Sequence, residues 1–289
     1  MLEDEAQFAE FFRRLRATPR RALLLDFDGT LAPLRVDRGA TRMYRGVRSA
    51  LASLAVEPRR CRVGIVSGRS LSDLRRMVRL DGSVELWGSH GLERFTLDGW
   101  WSGPAPARAA SAFIDEMLAA AGDSWRGIVE RKPYGLALHL RGHLPEFSEQ
   151  VRREVNRLWR SPARGAGLEV VAVDGDIEFR PAGIHKGRVV ERLFAELGED
   201  AAIAYLGDGR TDEDAFRALR GRGLSVLVGP QPRVSLAVGW LRPPEELLSF
   251  LVAWGRACMT GGGDCNAADL EAVGMKSGKC AGAPWREPC

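Results

Sequence analysis

Residues 22–34 read Ala-Leu-Leu-Leu-Asp-Phe-Asp-Gly-Thr-Leu-Ala-Pro-Leu, and this stretch decides the fold. Four apolar residues lead into one acid, Asp26, and a second acid, Asp28, follows after Phe27. A short apolar run that ends in turn residues is typical of a strand buried on both faces of a parallel sheet. We therefore expect both acids at the carboxyl end of this strand, where open α/β sheets bind their ligands.

Two neighbouring carboxylates at such a position can divide a reaction between them. One can serve as a nucleophile and the other as a proton shuttle, provided that a metal ion and a cation offset the negative charge. The alternative is a plain strand-to-loop turn that carries two solvated acids. The choice depends on whether further polar groups follow at other strand ends.

Composition sets broad limits on the class of protein. The chain has 289 residues, 45% of them hydrophobic, and a formal net charge of +4, which is ordinary for one large or two smaller globular domains. The arginines are spread along the chain, so we expect no nucleic-acid partner. We find neither a long apolar run nor the apolar core of a signal peptide, and we expect a cytoplasmic protein without a membrane partner.

Strand and helix patterns alternate through most of the chain, which predicts an α/β fold with a parallel sheet and right-handed crossovers. The alternation is interrupted after Gly103, where the pattern becomes helix, two strands, helix, two strands. We predict that residues 105–181 form an inserted α+β cap domain (αββαββ). Residues 1–104 and 182–255 then form the core domain, and residues 256–289 form a poorly ordered tail.

Further polar groups stand at the ends of later predicted strands. Ser67 follows one strand, Lys186 starts the helix after the insert, and Asp208 lies between two glycines after another strand. Such a set suits phosphoryl transfer, because the transferring group spreads negative charge over its oxygens. Each member also has a simpler interpretation: Ser67 as a helix cap, Lys186 as a solvated charge, and Thr211 with Asp214 as a capping box.

The order Asp-x-Asp, Ser, Lys, Gly-Asp-Gly-x-x-x-Asp resembles that of the haloacid-dehalogenase-like (HAD) phosphatases over residues 20–255. The resemblance implies a HAD-like Rossmannoid core with a cap. It implies that Asp26 attacks phosphorus to form an aspartyl-phosphate and that Asp28 first donates and then accepts a proton. Lys186 would offset charge, and Ser67 would hold a phosphoryl oxygen.

The same resemblance implies a Mg²⁺-dependent phosphomonoesterase. Asp26, the backbone carbonyl of Asp28 and Asp208 would hold the ion with water molecules, and Asp212 would steady this group. Oxygen ligands of this kind are those that Mg²⁺ prefers.

Several longer segments resemble the trehalose-6-phosphate phosphatases within this superfamily, which carry out the last step of trehalose biosynthesis. They are residues 25–33, 66–69, 88–93, 130–132 with 137–141, 178–181 and 207–216. The resemblance implies a sugar-phosphate substrate and a functional link to a separate trehalose-6-phosphate synthase.

Five residues become substrate contacts on this resemblance: Arg69 and His90 in the core, and Glu130, Lys132 and Glu178 in the cap. Carboxylates accept hydrogen bonds from sugar hydroxyls and an ammonium donates them, so these residue types suit a disaccharide. A strand with Glu130 and Lys132 on a solvated face is the simpler interpretation, and Arg69 could be a surface helix residue.

One position departs from the trehalose-6-phosphate phosphatase pattern, because Gly209 stands where those enzymes usually carry a second Asp. Alternatives therefore stay open. A phosphatase for sucrose, glucosylglycerol or mannosylglycerate phosphates is the nearest. A phosphomannomutase-like isomerase shares the Asp-x-Asp motif, and a non-catalytic sugar-phosphate binder is the third.

Overall fold

The structure is a computed structural model that describes residues 2–56, 61–80, 84–173 and 175–259, with side chains from residue 7 onward. Within these ranges no helix has the length and apolar character needed to span a membrane. The chain divides into two compact units. The core unit comprises Met1–Trp100 and His185–Cys289, and the inserted unit comprises Trp101–Ile184, where the sequence predicts an insert over 105–181.

The described strands are β1 (Arg21–Asp26), β2 (Arg62–Val66), β3 (Glu85–Gly88), β4 (Glu93–Thr96), β5 (Gly99–Ser102), β6 (Val129–Lys132), β7 (Gly135–Leu138), β8 (Leu168–Val173), β9 (Asp176–Pro181), β10 (Ala202–Gly207), β11 (Leu224–Val228) and β12 (Gly239–Leu241). The described helices are α1 (Leu2–Ala17), α2 (Val47–Leu54), α3 (Leu71–Val78), α4 (Arg108–Ala121), α5 (Pro145–Glu154), α6 (Arg160–Gly165), α7 (Gly187–Leu197), α8 (Glu213–Leu219) and α9 (Glu245–Met259).

The core unit is built on an eight-stranded sheet with the order β12-β11-β10-β1-β2-β3-β4-β5. Strand β1 pairs in parallel with β10 on one side and with β2 on the other. Every residue of β1 is buried, because Leu23 and Leu25 pack into one apolar cluster and Ala22 and Leu24 into another. The apolar run of the sequence thus becomes a central strand covered on both faces, as predicted.

The strand order places a topological switch point beside β1. From β1 the chain moves outward through β2 and β3, whereas β10 lies on the other side of β1 and leads to β11. The register pairs Asp26 with Val66, and Leu25 with Leu206. Since these strands are parallel, the residues that follow them emerge at one edge of the sheet, where open α/β sheets bind ligands.

The sheet is parallel except at one side, where β4 runs antiparallel to β3. The predicted parallel sheet is thus extended by an antiparallel strand on that side. Ser89 and His90 adopt left-handed backbone conformations (φ 49° and 57°) ahead of Gly91, so the chain turns back at once. A parallel crossover needs a dozen residues or more, and this connection has far fewer.

Short elements also escaped the sequence analysis, among them β4, β5 and the three-residue β12. Helix α9 runs to Met259, so the tail predicted from residue 256 begins inside a helix. The rest of that predicted tail lies outside the described residues.

The inserted unit has a four-stranded sheet in the order β6-β7-β9-β8, and each pairing is antiparallel. One face is apolar: Leu136 and Phe179 pack with Ile114 and Met117 of α4. The residues that alternate with these form the other face, which we call the polar face. It carries Glu130, Lys132, Gly135, Ala137, His139, Asp176 and Glu178.

Candidate active site

The centre of the site is an ion pair between the end of β1 and the start of α7. Lys186 Nζ donates a hydrogen bond to Asp26 Oδ1 at 2.6 Å, and both side chains are buried. Lys186 occupies the N-cap position of α7, where the helix dipole disfavours a cation. Its burial beside two carboxylates compensates this cost and excludes the interpretation of Lys186 as a solvated charge.

Asp212 is the second partner of Lys186. Its Oδ1 accepts hydrogen bonds from Lys186 Nζ (2.8 Å) and from the hydroxyl of Tyr205 (2.7 Å), and its Oδ2 accepts the backbone N–H of Gly209 (2.9 Å). The side chain is fully buried. Three hydrogen bonds engage both oxygens of this buried carboxylate, so Asp212 is a rigid part of this group.

The turn that holds Asp212 differs from the predicted capping box. Asp212, and not Asp214, closes the turn onto the backbone of Gly209, and Asp214 instead pairs with Arg217. The alternative explanation of Thr211 and Asp214 as a Thr-x-x-Asp cap is therefore wrong.

Three carboxylates form a group that suits a divalent cation. Oxygens of Asp26, Asp208 and Asp212 all lie within 4.8 Å of one another. A Cβ atom on Gly29 would lie 1.9 Å from Asp208 Oδ2, so only glycine leaves room for that carboxylate. A hard oxygen donor set around a cradle of this kind fits Mg²⁺. Asp28, predicted as a ligand through its backbone carbonyl, contributes no carboxylate to this group.

Charge and burial act together on the central pair. Burial raises the pKa of Asp26 to about 7, with further contributions from Asp212 and Asp28, although Lys186 opposes the shift. Burial disfavours the charge on Lys186, but Asp212 and Asp26 outweigh this effect and raise the pKa of Lys186. The site thus has an excess of buried negative charge, which an additional cation would offset.

Asp28 is oriented by Arg69. The guanidinium donates two hydrogen bonds of 2.6 Å, from Nε to Asp28 Oδ2 and from Nη2 to Oδ1. Arg69 is itself held by the carbonyl of Arg38 and the hydroxyl of Thr41. A bidentate pair of this kind fixes the plane of the carboxylate as well as its position. The interpretation of Arg69 as a surface residue is wrong, because only 5% of its side chain is exposed.

Ser67 is buried at the end of β2, and its hydroxyl oxygen accepts the backbone N–H of Arg69 at 3.1 Å. The N-cap of α3 is Ser70, whose hydroxyl accepts the N–H of Asp73. Ser67 is therefore not the helix cap that the simpler interpretation suggested. His90 is buried next to it: a Cβ on Gly68 would lie 2.7 Å from the ring, so the imidazole packs against the Gly68 backbone.

Arg233 braces the loop that carries Asp208. Its guanidinium donates to the carbonyl oxygen of Asp208 (3.0 and 3.2 Å) and to that of Gly209 (2.9 Å). It also pairs with Glu213 at 2.6 Å, and Glu213 accepts the N–H of Leu236. This loop is thus tied to the segment that follows β11.

In the inserted unit, the predicted sugar contacts form two pairs on the polar face. Lys132 Nζ donates to Glu178 Oε1 at 2.7 Å, and Glu130 Oε2 lies 2.7 Å from His139 Nε2. Glu130 keeps 34% of its side chain exposed, whereas Lys132 and Glu178 keep 7% and 6%. Glu130 is therefore the most accessible of the three.

The structure brings together the predicted residues Asp26, Lys186, Asp208 and Asp212, and joins Asp28 to Arg69. Sequence reasoning missed supporting residues that carry no motif: Thr41, His139, Asp176, Tyr205 and Arg233. Tyr205 lies inside the apolar run of β10, and Arg233 lies in an irregular segment, so neither periodicity nor spacing marked them.

Comparisons with known proteins identify the family of the chain. A family model described as Trehalose-phosphatase matches residues 24–236. A trehalose-phosphate phosphatase of Mycobacterium marinum is 34% identical over 246 residues, which are 80% of this chain and 60% of the relative. A protein of Mycobacterium tuberculosis named as an uncharacterized glycosyl hydrolase is 35% identical over 266 residues, 86% of this chain and 19% of the relative. The chain thus spans less than two thirds of these relatives.

Among solved structures, the C-terminal domain of the trehalose-6-phosphate phosphatase of C. albicans is similar, with a TM-score of 0.69 and 25% identity. The match covers 86% of this chain and 96% of that domain. The similarity therefore extends over both units and is not confined to the motifs.

Proposed function

The chain belongs to the trehalose-phosphatase family, and we propose that it hydrolyses trehalose 6-phosphate to trehalose and inorganic phosphate. The observation that carries the proposal is the buried group in which Lys186 bridges Asp26 and Asp212 beside Asp208. Phosphoryl transfer depends mainly on positioning and electrostatic stabilisation, and this group supplies both.

In the proposed first step, a carboxylate oxygen of Asp26 attacks phosphorus, and the bond from phosphorus to the sugar oxygen breaks. Asp28 gives its proton to that oxygen as the sugar leaves, which produces an aspartyl-phosphate on Asp26. Lys186 offsets charge on Asp26, and the Ser67 hydroxyl donates to a phosphoryl oxygen. In the second step Asp28 takes a proton from water, which attacks phosphorus and releases phosphate, so that Asp26 is regenerated.

We propose Mg²⁺ as the ion that Asp26, Asp208 and Asp212 hold, together with the backbone carbonyl of Asp28. When bound, such an ion supplies electrostatic stabilisation for the charge that develops on the phosphoryl oxygens. The residues of the chain contribute the fixed geometry. Lys186, Tyr205 and Gly209 keep Asp212 in place, and Gly29 leaves space for Asp208.

We assign sugar recognition to Glu130, Lys132 and Glu178, whose charged groups alternate with small residues on the polar face. Ala137 lies between Glu130 and Glu178 in the strand register. The small side chain of Ala137 leaves space for a sugar between these two carboxylates, which can accept hydrogen bonds from its hydroxyls. Arg69 and His90 remain proposed contacts on the phosphate side, with Arg69 also serving to hold Asp28.

A phosphate-release assay with a panel of sugar phosphates tests the proposal. We expect Mg²⁺-dependent turnover of trehalose 6-phosphate at a higher kcat/KM than that of sucrose 6-phosphate, glucosylglycerol phosphate or mannosylglycerate phosphate. A higher kcat/KM for one of these would replace the substrate assignment. Interconversion of hexose phosphates with a bisphosphate activator would indicate an isomerase, and binding without turnover would indicate a binder. The link to a trehalose-6-phosphate synthase and the cytoplasmic location likewise remain predictions.

A further inference from the structure

His139 follows β7 on the polar face and lies between two carboxylates. Its Nε2 is 2.7 Å from Glu130 Oε2, and its Nδ1 is 3.0 Å from Asp176 Oδ2. Its backbone N–H continues the strand pairing by donating to the carbonyl of Ile128 at 2.7 Å. The ring therefore spans from β6 to β9 across the end of β7.

This placement determines the protonation of the ring. An ionised carboxylate only accepts hydrogen bonds, whereas a neutral imidazole has one donor nitrogen and one acceptor nitrogen. Both ring nitrogens of His139 face carboxylate oxygens at hydrogen-bonding distance, so both must donate. The two contacts are compatible only with the imidazolium form as long as both carboxyls are ionised.

Asp176 is the fixed end of this arrangement. Its Oδ1 accepts the backbone N–H groups of Leu140 (2.9 Å) and Arg141 (3.2 Å), so its carboxylate cannot turn away. Burial acts to raise the pKa of Asp176, but the hydrogen bonds from His139 and Leu140 outweigh it and lower the pKa. Glu130, at the other end, keeps one third of its side chain exposed, whereas the side chain of Asp176 is 7% exposed.

We propose that His139, held as an imidazolium by Asp176, is a positioning residue that fixes the Glu130 carboxylate for a sugar hydroxyl and thereby determines sugar specificity. This inference rests on the proposed function, because it assigns Glu130 to the sugar. His139 acts through Glu130, so its effect concerns the binding of the sugar and not the phosphoryl chemistry at Asp26.

A dependence on pH follows from the arrangement. When His139 loses its proton, one ring nitrogen presents a lone pair to a carboxylate, and the contact becomes repulsive. Glu130 is the more exposed of the two carboxylates and is the one expected to turn away. The charged groups around the ring are Glu130 from β6, Asp176 from β9, Arg141 after β7, and the Lys132–Glu178 pair beside Glu130.

The test compares His139→Gln with His143→Gln in the full chain. His143 is an exposed histidine of the same unit that packs on Phe147 and serves as the matched control. KM and kcat are measured on trehalose 6-phosphate and on p-nitrophenyl phosphate, which has no sugar. Loss of an oriented charged hydrogen bond corresponds to roughly 10- to 140-fold, or about 1.5–3 kcal/mol.

We expect His139→Gln to raise KM for trehalose 6-phosphate at least about tenfold and to affect the aryl phosphate, which has no sugar, much less, as Glu130→Ala should. In the unsubstituted chain, KM for the sugar phosphate should rise on the alkaline side, and this rise should disappear in His139→Gln. Asp176→Asn should move the rise in KM to lower pH, because the imidazolium of His139 then has one carboxylate partner fewer. Asp176→Glu keeps a carboxylate there and should move the rise less. His143→Gln should behave as the unsubstituted chain.

An NMR titration of the histidine rings, assigned with the two variants, supplies a readout that is independent of turnover. Both ring nitrogens of His139 should be protonated at neutral pH. Three results would overturn the inference about His139 and leave the proposed function standing. They are an unchanged KM for the sugar phosphate in His139→Gln, an equal loss on both substrates, and a neutral ring at neutral pH. If the unsubstituted chain fails to hydrolyse trehalose 6-phosphate, the proposed function fails, and the sugar assignment of His139 fails with it.

Discussion

Lys186 Nζ lies 2.6 Å from Oδ1 of Asp26, although 160 positions and an entire inserted unit separate the two residues in the chain. Both side chains are buried, and Asp212 shares the same ammonium at 2.8 Å. The attraction among these three charges offsets the desolvation cost of burying them only if the geometry is good and their remaining polar atoms have hydrogen-bond partners. The site therefore depends on Lys186 for stability as well as for charge.

Replacing Lys186 with Met should leave Asp26 and Asp212 as two buried acids without their shared cation. We expect the free energy of unfolding to fall by about 3–5 kcal/mol in the presence of a chelator, because an uncompensated buried charge remains. Denaturant titration measures this. Arg76→Met is the control, because its pair with Asp73 is exposed and should contribute less than about 1 kcal/mol. Equal losses in the two variants would contradict the role of burial.

Gly29→Ala should prevent cation binding. The new Cβ would lie 1.9 Å from Asp208 Oδ2, and the backbone at Gly29 is left-handed (φ +90°). Gly221→Ala is the matched control, because Gly221 is also left-handed (φ +77°) but has open space around it. Both variants should lose about 1–2 kcal/mol of stability from backbone strain. Only Gly29→Ala should lose Mn²⁺ binding measured by electron paramagnetic resonance, and retained binding would show that Asp208 is not needed in its observed position.

Arg233→Gln should weaken cation binding without direct contact to the ion. The guanidinium holds the carbonyl oxygens of Asp208 and Gly209, and loss of such supporting partners typically costs 10- to 100-fold in metal affinity. A Mn²⁺ titration measures the affinity, and saturating Mg²⁺ should restore phosphate release. Arg210→Gln, on the exposed side of the same loop, removes the same charge and controls for it. An equal effect in both variants would assign the loss to net charge.

Glu196 should contribute stability that acid removes. Burial acts to raise its pKa, but hydrogen bonds from Arg94 and Arg62 outweigh burial and lower the pKa to about 2. The pKa of a glutamate in an unfolded chain is about 4.3. The stabilisation from Glu196 is therefore complete above about pH 5 and is lost as the pH falls through the pKa of Glu196 in the folded protein. The difference in unfolding free energy between the unsubstituted chain and Glu196→Gln should shrink from about pH 5 to about pH 2. A difference that stays constant would contradict the assignment.

The sequence was sufficient to predict which chain segments meet at the site. Asp26, Ser67 and Asp208 each follow an apolar strand, and parallel neighbours bring such ends to one edge of the sheet. Lys186 was predictable because a cation at a helix start needs an anionic partner. These inferences depend on strand direction and charge, both of which the local sequence carries.

The supporting contacts were not predictable, because they join segments that no periodic pattern relates. The pair of Arg69 with Asp28 and the contact of Arg233 with the Asp208 loop depend on where long side chains reach in three dimensions. The antiparallel return at β4 depends on left-handed conformations at Ser89 and His90, which ordinary L-residues rarely adopt. Strand β12 is too short to show an alternation.

The claim that Asp26 is the nucleophile is tested most directly by rapid quenching of the Asp28→Asn variant with p-nitrophenyl phosphate, followed by mass spectrometry of its peptides. The phenolate leaves without an acid, whereas hydrolysis of the intermediate needs Asp28 as a base, so the intermediate should accumulate. We predict a phosphoryl group on the peptide that contains Asp26, with about one nitrophenolate released per chain. A phosphoryl group on another residue, or a burst that persists when Asp26 is replaced by Asn, would contradict the account.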